Sequence, residues 1–337
     1  MILVFQMSSL LIFGAACLDY IALVDHFPQP DEKLRTNSLT IVGGGNAGNT
    51  ATCLSRLGVK LKLIAKIGDD SNGKKILEDF HNEENIDTSL IVIQSSTISQ
   101  MTYVIVDKQS QTRTCLFSAT NEQILISDLR ENILDRIEFI HFDSRSTEAA
   151  VHLAKLARQR SIRCSLDLER QRPYLDELIP LMNYIIATEN YSLHVCKDLS
   201  LLDTAKRLLQ TCEFVIFTRG KHGSILIEKL SNNNNNNHQS FVRDDMITQE
   251  IIENNYLVWT CLAWPIDSKD ILDTTGCGDA FIGGILYGIY QRKTWSKGQL
   301  LRFASYIAMC KLKGLGARST LPYRRDMNMN LLGIDDF

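Results

Sequence analysis

The sequence predicts an α/β fold in which helices cover both faces of a mostly parallel sheet. Short, apolar, β-branched runs alternate with amphipathic runs of helical period over most of the 337 residues. This alternation is typical of a parallel sheet whose strands are joined by helices. A second observation agrees with it: the run from Ala280 to Tyr290 contains no charged residue, which indicates a helix that is buried nearly all round.

The first predicted strand covers Leu10 to Ala16, just ahead of Asp19. Its apolar sequence could also be the core of a signal peptide. However, no basic leader precedes it and it is too short to span a membrane, so we interpret it as a buried strand. A polar, turn-rich segment follows. The glycine-rich stretch IVGGGNAGNTATCLSRLG then opens a helix, and the next strand and helix are LKLIA and GKKILEDFHNEE.

Three strand-like runs then interrupt the alternation, and hairpins are expected there: IVI, MTYVIV and TCLFS. The alternation resumes with the strands IEFIHF, IRCSLD, YIIAT and FVIFT and with the helices EAAVHLAKLARQR and SLLDTAKRLLQTC. An asparagine run cannot build a packed core, so we predict a disordered surface insertion at residues 231–255. The last two predicted helices are AFIGGILYGIY and QLLRFASYIAMCKLK.

Composition argues against several classes of protein. The formal charge is −3 and no basic block is present, so neither nucleic acid nor a membrane surface is an expected partner. The nine cysteines form no CxxC pair, and we therefore expect reduced thiols in a cytoplasmic protein. The seven histidines form no HExxH-like cluster, which leaves no visible motif for a transition metal.

The glycine-rich stretch matches the spacing GxGxxG through Gly43, Gly45 and Gly48. In a dinucleotide-binding dehydrogenase, an acidic residue at the end of the next strand would bind the ribose. That strand, LKLIA, is followed by Lys66 instead. A complete strand also precedes the motif, whereas the dinucleotide-binding turn normally follows the first strand of its unit. The dehydrogenase is therefore a rival interpretation and not the preferred one.

A second glycine motif, DTTGCGDAF, lies immediately before the charge-free helix. Backbone N–H groups of Gly276, Cys277 and Gly278 can converge there with the positive end of the helix dipole on an anion. Asp279 stands in the first turn of the same helix. A bound phosphate would repel this carboxylate, unless the carboxylate takes a proton as a phosphoryl group moves. The alternative is that Asp279 only caps the helix.

These two glycine motifs resemble those of the ribokinase-like, or PfkB, carbohydrate kinases. DTTGCGDAF resembles the C-terminal signature of that family, and GGNAGN, from Gly44 to Asn49, resembles its N-terminal sugar-binding motif. The resemblance implies one ribokinase-like domain over residues 1–337, with a three-layer α/β/α arrangement. It also implies a small β-sheet lid, built from residues 19–40 and 99–118, that covers the sugar and often forms a homodimer interface.

The resemblance further implies the residues of the site. Asp279 would be the catalytic base, and the backbone of residues 276–278 would stabilise the transferred charge. The expected substrate contacts are Asp19, Asp31, Gly45, Asn46, Asn49 and the lid residue Arg113. The expected ATP contacts are Thr218, Gly220 and Gly223. A monovalent-cation site for K⁺ would include Asp273 and Thr275, with carbonyl groups near Gly316 and Arg318.

Simpler roles are open for some of these residues: Asp31 could be a turn residue, Asn46 a helix cap and Arg113 an exposed strand residue. The chain also departs from the family at two places. Thr188 and Tyr191 stand where many members have an NxxE motif that organises Mg²⁺, so the magnesium contacts are unassigned. Cys277 replaces the usual alanine, and a helix N-terminus would lower the pKa of this thiol.

The spacing of Asp19, Asp31, Gly45, Asn46 and Asn49 resembles the ketohexokinase branch of the family. We therefore predict ATP-dependent phosphorylation of a ketohexose such as fructose, with Mg²⁺ as cofactor. Three alternatives are a ribose or nucleoside kinase of the same family, a catalytically silent sugar- or nucleotide-binding homologue, and the dehydrogenase.

Overall fold

The computed structural model describes residues 10–83, 85–110, 112–118, 123–195, 199–230, 245–292 and 294–329. Within these residues a large sheet contains β1 (Leu10–Phe13), β4 (Leu61–Ile64), β6 (Ile86–Asp87), β10 (Phe139–Phe142), β11 (Arg163–Leu168), β12 (Tyr184–Thr188), β13 (Phe214–Thr218), β14 (Ser224–Lys229), β15 (Ile247–Ile252) and β16 (Tyr256–Cys261). A four-stranded sheet, called the small sheet below, contains β2 (Cys17–Val24), β3 (Ser38–Gly44), β8 (Met101–Asp107) and β9 (Thr112–Ser118). Two short strands pair separately, β5 (Lys66–Gly68) and β7 (Val92–Gln94).

The described helices are α1 (Asn46–Arg56), α2 (Ser71–His81), α3 (Thr147–Gln159), α4 (Leu175–Leu178), α5 (Glu189–Val195), α6 (Leu201–Leu208), α7 (Cys277–Gln291) and α8 (Lys297–Leu312). The order of strands in the large sheet is β15-β16-β14-β13-β12-β11-β10-β1-β4-β6. In this sheet the seven neighbouring strands β13, β12, β11, β10, β1, β4 and β6 are parallel to one another. The remaining strands, β14, β16 and β15, are antiparallel to their neighbours.

Two hydrophobic cores lie on the two faces of the large sheet. Leu10 and Ile12 of β1 face the core that includes α1, α2, α7 and α8. Leu11 and Phe13 face the core that includes α3, α4 and α6. Successive side chains of a strand point to opposite faces, so a strand such as β1, which is buried on both sides, is apolar at every position. The α/β fold with helices on both faces is confirmed.

The end of the first strand was predicted wrongly. β1 stops at Phe13, and Asp19 lies inside β2 of the small sheet, not at the end of the first strand. The reason is a contact with a residue that is distant in sequence: a Cβ atom at Gly14 would meet the Asp143 carboxylate at 2.0 Å, and Ala15 N–H donates to Asp143 Oδ2 at 2.7 Å. The Asp143 side chain, just after the neighbouring strand β10, therefore occupies the space in which β1 would continue, and the chain leaves the large sheet at this point.

The predicted disordered insertion, residues 231–255, needs a correction. Residues 231–244 lie outside the described residues. Beyond them, however, β15 is a regular strand paired with β16, and its Ile247 is buried. Glu253 and Asn254 both have positive φ angles in the turn between the two strands, as tight hairpin turns require. The asparagine-rich neighbour concealed a strand–turn–strand pattern in ITQEIIENNYLVWT.

The small sheet has the order β3-β2-β8-β9 and is built from the two segments where the lid was expected. One of its faces carries Asp19, Thr102 and Phe117, which lie side by side across β2, β8 and β9. The next cross-strand row, on the opposite face, contains Ile41, Tyr20, Tyr103 and Leu116. In this row Ile41, Tyr103 and Leu116 are exposed.

In the described part of the chain, no helix combines the length and the apolar character that a membrane span requires.

Candidate active site

Two neighbouring cavities share Thr274 and Gly278 in their walls. The polar cavity, of about 260 Å³, lies between the small sheet and the start of α7. The larger cavity, of about 520 Å³, is mainly apolar and extends from the end of β13 to α8. Their walls include residues at or just beyond the carboxyl ends of β1, β11 and β13, where open α/β sheets bind their ligands.

The polar cavity brings together most of the predicted substrate contacts with the predicted base. Its wall includes Asp19, Gly45, Asn46, Asn49, Arg113, Gly276, Gly278 and Asp279. Asp31 is elsewhere: it is exposed in the connection between β2 and β3, has a positive φ of 63°, and is not part of the wall. The structure therefore shows Asp31 in a turn and leaves it apart from the other predicted contacts.

Asp279 lies in the first turn of α7, as its third residue, and the N-cap position belongs to Gly276. Its Oδ2 atom accepts a hydrogen bond from Asn49 Nδ2 at 2.7 Å. The pKa of Asp279 is raised to about 7, mainly by burial; the hydrogen bond from Asn49 opposes this rise, and the nearby carboxylates of Glu169, Asp143 and Asp19 contribute to it. A carboxylate with such a pKa can accept a proton near neutral pH.

Arg318 fixes the orientation of the Asn49 side chain. Its Nε atom donates to Asn49 Oδ1 at 2.9 Å, and its Nη2 atom donates to the Gly44 carbonyl at 2.6 Å. A guanidinium can only donate hydrogen bonds, so the amide oxygen of Asn49 must face Arg318 and its NH₂ group must face Asp279. Arg318 is buried and also stacks on Phe80, with its Cζ atom 4.8 Å from the ring centroid.

The glycines of the first motif make room for this arrangement. A Cβ atom at Gly43 or Gly48 would meet the Arg318 guanidinium at 2.3 or 2.4 Å, and one at Gly44 would meet the Asp19 carboxylate at 2.5 Å. The strand before the motif, β3, belongs to the antiparallel edge of the small sheet. The GxGxxG spacing is therefore not part of a parallel βαβ unit, and the dehydrogenase interpretation is wrong.

The backbone of residues 276–278 leads into α7. Gly276 has a φ of 76°, which favours glycine, and a Cβ atom there would meet Ala317 Cα at 2.8 Å. Gly278 lines both cavities, and a Cβ atom there would meet nothing within 4 Å. The N–H group of Cys277 donates to the Thr274 carbonyl at 3.3 Å, so this group stabilises the turn.

The prediction of a lowered pKa for the Cys277 thiol was wrong. Burial raises its pKa to about 11, and the nearby Asp273 carboxylate also raises it. The desolvation of a thiolate in this position outweighs the favourable end of the helix dipole.

The larger cavity contains the three residues predicted to contact ATP: Thr218, Gly220 and Gly223. At Gly223 a Cβ atom would meet the Cys261 carbonyl oxygen at 2.0 Å, so the strand pairing itself requires glycine there. Trp264, Ile266 and Phe281 form part of an apolar wall, which is suited to the flat face of a nucleobase.

Two charged wall residues of the polar cavity were not identified from the sequence, Arg145 and Glu169. The Arg145 guanidinium lies over the Phe117 ring, with its Cζ atom 5.5 Å from the ring centroid. Each follows a parallel strand, Arg145 after β10 and Glu169 after β11. Their positions in the sequence, just after predicted parallel strands, could have identified both residues, because ligands of α/β sheets contact residues just beyond the carboxyl ends of the strands.

Among the predicted cation ligands, the oxygens of Asp273 and the carbonyl of Arg318 already accept hydrogen bonds from protein groups. Asp273 Oδ1 accepts from the N–H and hydroxyl groups of Thr275 at 2.8 and 2.7 Å, and Oδ2 accepts from Gly316 N–H at 2.8 Å. The Asp273 carbonyl accepts from Lys311, and the Arg318 carbonyl accepts from Arg56. These residues do not fit an additional K⁺ ion.

Arg113 connects the small sheet to the second glycine motif. It donates to the Thr274 hydroxyl and lies 3.8 Å from Asp273 Oδ1. A base in the wall of a polar cavity that adjoins a nucleotide-sized cavity is the arrangement that phosphoryl transfer to a hydroxyl requires. The fold and the site therefore define the class as a small-molecule kinase.

The sequence model of the pfkB family of carbohydrate kinases matches residues 7–246 and 260–324. The chain therefore belongs to this family. It is thus a phosphotransferase that uses ATP and an alcohol acceptor. Its sequence is 24% identical to ribokinase of Haemophilus influenzae over 328 residues, which cover 95% of this chain and 97% of the relative. It is also 24% identical to ketohexokinase of Mus musculus over 322 residues, covering 91% of this chain and 97% of the relative.

Solved structures agree on the fold. Ribokinase from Thermotoga maritima superposes with a TM-score of 0.74 at 18% identity, covering 95% of this chain and 97% of that one. Ribokinase of Arabidopsis thaliana complexed with ribose and ATP has a TM-score of 0.74 at 17% identity, covering 98% and 100%. The ribokinase-like fold predicted from the two motifs is confirmed.

Proposed function

We propose that this kinase transfers the γ-phosphoryl group of ATP to a hydroxyl of a ketohexose such as fructose. The observation that carries the proposal is the buried Asp279 carboxylate, which is held by Asn49 in the wall of the polar cavity, next to Gly278 of the wall shared with the larger cavity. The choice of a ketohexose rests on the spacing of Asp19, Asp31, Gly45, Asn46 and Asn49 in the sequence.

The sugar would lie in the polar cavity, where hydrogen-bonding groups come from several elements. Asp19 offers a buried carboxylate, and burial raises its pKa. Asn46 donates to Asp167 at 3.2 Å through Nδ2, which leaves its carbonyl oxygen for a sugar hydroxyl. Directed donors and acceptors of this kind orient one hydroxyl of the acceptor toward Asp279.

Phosphoryl transfer would then occur at the shared wall of the cavities. Asp279 takes the proton of the attacking hydroxyl, while the N-terminus of α7 at Gly278 and the Arg113 guanidinium stabilise charge on the phosphoryl group. The described residues contain no cluster of three His, Cys, Asp or Glu side chains able to hold a metal ion. The phosphates of the nucleotide would therefore supply most of the ligands of Mg²⁺.

A ribose kinase is the second candidate. Relatives named ribokinase, from Mus musculus, Haemophilus influenzae and Dictyostelium discoideum, are 19%, 24% and 23% identical to this chain. In addition, Asp31, which belongs to the ketose spacing, is not in the wall of the polar cavity. Both observations favour a smaller acceptor whose contacts do not include Asp31.

The small sheet would act as the lid over the sugar and as the contact between two copies of the chain. Its inner face lines the polar cavity through Thr102, Arg113 and Phe117. Its outer face exposes Ile41, Tyr103 and Leu116. An apolar row of this kind on a sheet is stabilised when a second sheet covers it.

The test is ADP release measured with fructose, other ketoses, ribose, aldoses, nucleosides and no sugar. Fructose-dependent turnover supports the proposal, ribose-dependent turnover favours the second candidate, and a lack of turnover with every sugar would favour a silent binding homologue. Asp279→Asn should lower kcat by about 10²–10⁴-fold, the usual contribution of a general base. The matched control is Asp69→Asn, an exposed carboxylate outside both cavities, and it should leave kcat unchanged.

The pH profile of kcat/KM tests the role of Asp279 separately. Below the pKa of about 7 the carboxylate is protonated and cannot accept the hydroxyl proton. The rate should therefore rise with pH and level off above about 7. A profile that is flat from pH 5 to pH 8 would contradict this assignment.

A further inference from the structure

The side chain of Lys311, in the last turn of α8, is fully buried. Its Nζ atom donates to the Asp273 carbonyl at 2.7 Å and to the Gly314 carbonyl at 3.1 Å, and lies 4.0 Å from Asp273 Oδ2. A lysine is almost never fully buried unless it is paired. Here the ammonium group has two carbonyl oxygens and a carboxylate around it, which offset the loss of water.

These contacts join the two turns that support the second glycine motif. The Leu272 and Leu312 backbones are also hydrogen-bonded, from N–H to carbonyl at 2.9 Å. Asp273 in turn holds Thr275 and Gly316 through its carboxylate oxygens. The Lys311 ammonium therefore contacts, at Asp273, the segment that leads to Gly276 and Gly278.

Lys311 is not in the wall of either cavity, so it does not contact the substrates. Carbonyl oxygens that converge on one point from two turns repel each other unless a cation lies between them. An ammonium group can supply that charge through its three N–H donors. In this chain the cation is thus part of the polypeptide.

We propose that Lys311 is a built-in monovalent cation that positions the Asp273–Gly278 turn, so that phosphoryl transfer by this chain needs no K⁺. The proposal rests on the phosphoryl transfer described above. Lys311 acts through Asp273 and is a positioning residue. It also explains why the predicted cation ligands do not fit an additional metal ion.

Two substitutions distinguish this role from simple packing. Lys311→Ala removes the charge and leaves space for a small cation beside the two carbonyl oxygens. Lys311→Met removes the charge but keeps most of the side-chain volume, so little space remains for an ion. If the positive charge is what positions the turn, K⁺ or NH₄⁺ should restore the kcat of Lys311→Ala and should not restore the kcat of Lys311→Met. A lysine that serves only packing would show no such ion-dependent difference.

The experiment compares choline chloride, KCl and NH₄Cl at equal ionic strength. The natural chain should have the same kcat in all three salts. Lys311→Ala should lose about tenfold or more of kcat in choline chloride, since two hydrogen bonds to a charged donor are removed, and should recover in KCl or NH₄Cl. Strong stimulation of the natural chain by K⁺, or unchanged activity of Lys311→Ala in choline chloride, would overturn the proposal.

Thermal unfolding gives a second readout that does not depend on the acceptor. The Tm of Lys311→Ala should rise with KCl or NH₄Cl more than the Tm of the natural chain, because an ion that binds only the folded state stabilises it. If every sugar fails as an acceptor but this difference in Tm appears, the proposed substrate is wrong and the built-in cation is upheld. If Lys311→Ala does not fold, the response of the natural chain's kcat and Tm to K⁺ decides alone.

Discussion

The Asp279 carboxylate combines a catalytic position with a cost to stability. Its pKa rises from an ordinary value of 3.8 to about 7 in the folded protein, so the folded state binds this proton more tightly than the unfolded chain does. The corresponding stabilisation is complete below pH 4, decreases as the pH rises toward 7, and is absent above that value. At neutral pH and above, the folded protein must therefore contain a buried charge.

We expect Asp279→Asn to be more stable than the natural chain at pH 8. The uncharged amide avoids the buried charge and can still accept a hydrogen bond from Asn49. A shift from 3.8 to about 7 corresponds to a gain of up to about 4 kcal/mol in the free energy of unfolding. Thermal melts of both proteins at pH 5 and pH 8 measure this gain, which should be smaller at pH 5. A lower Tm for the variant at pH 8 would contradict it.

At the same scale, the family resemblance that rests on the two motifs predicted that Asp279, Asn49, Asn46 and Asp19 belong to one site, and the structure brings these four residues together in the wall of the polar cavity. The role of Arg318 in orienting Asn49 was not predicted, because the two residues are 269 positions apart and neither local pattern refers to the other. The pKa of Cys277 was misjudged for a related reason. Its burial depends on Ala308 and other residues of distant elements, whereas the helix dipole is a local feature.

The packing of α7 against α8 depends on a glycine. A Cβ atom at Gly284 would lie 2.7 Å from the Ala304 Cα atom, which belongs to the backbone of α8. One turn later, a Cβ atom at Gly288 would meet the Leu300 Cδ1 atom at 2.3 Å and the Trp295 ring at 3.2 Å, and both are side-chain atoms. The two glycines occupy equivalent positions on the same helical face.

Gly284→Ala should therefore destabilise the protein by about 1–3 kcal/mol, because the two helix backbones must separate. The matched variant, Gly288→Ala, should cost less, since Leu300 can change its rotamer and alanine favours the helix. Urea unfolding of both variants gives the comparison. Equal costs for the two substitutions would show that the close approach of α7 and α8 is not what requires glycine.

Elements whose pattern is local were predicted well. The runs that became β10 to β13 are short and mostly apolar, which is what burial on both faces of a parallel sheet favours. The boundary at Phe13 and the strand β15 were not predicted. In the first case the side chain of Asp143, just after the carboxyl end of β10, determines where β1 stops. In the second case an asparagine run dominated the local composition.

At the scale of the whole molecule, the small sheet presents an exposed apolar face. Leu39, at 62% exposed, adds to the outer row of Ile41, Tyr103 and Leu116. We expect Leu116→Asp to convert a dimer into a monomer, because each copy would bury a charge against the other sheet. Light scattering over a range of concentrations measures the change. Leu125→Asp is the control, since Leu125 is equally exposed but lies outside the small sheet. A natural chain that is monomeric at every concentration would refute the lid interface.

The contact between Arg318 and Asn49 has a consequence for the order in which the enzyme is made. A ribosome extends the chain from its amino end, and domains fold as their residues emerge. The GGNAGN segment emerges early, but the guanidinium that orients Asn49 belongs to residue 318. A nascent chain therefore has no completed site until residue 318 has been synthesised, and we expect no kinase activity before that point.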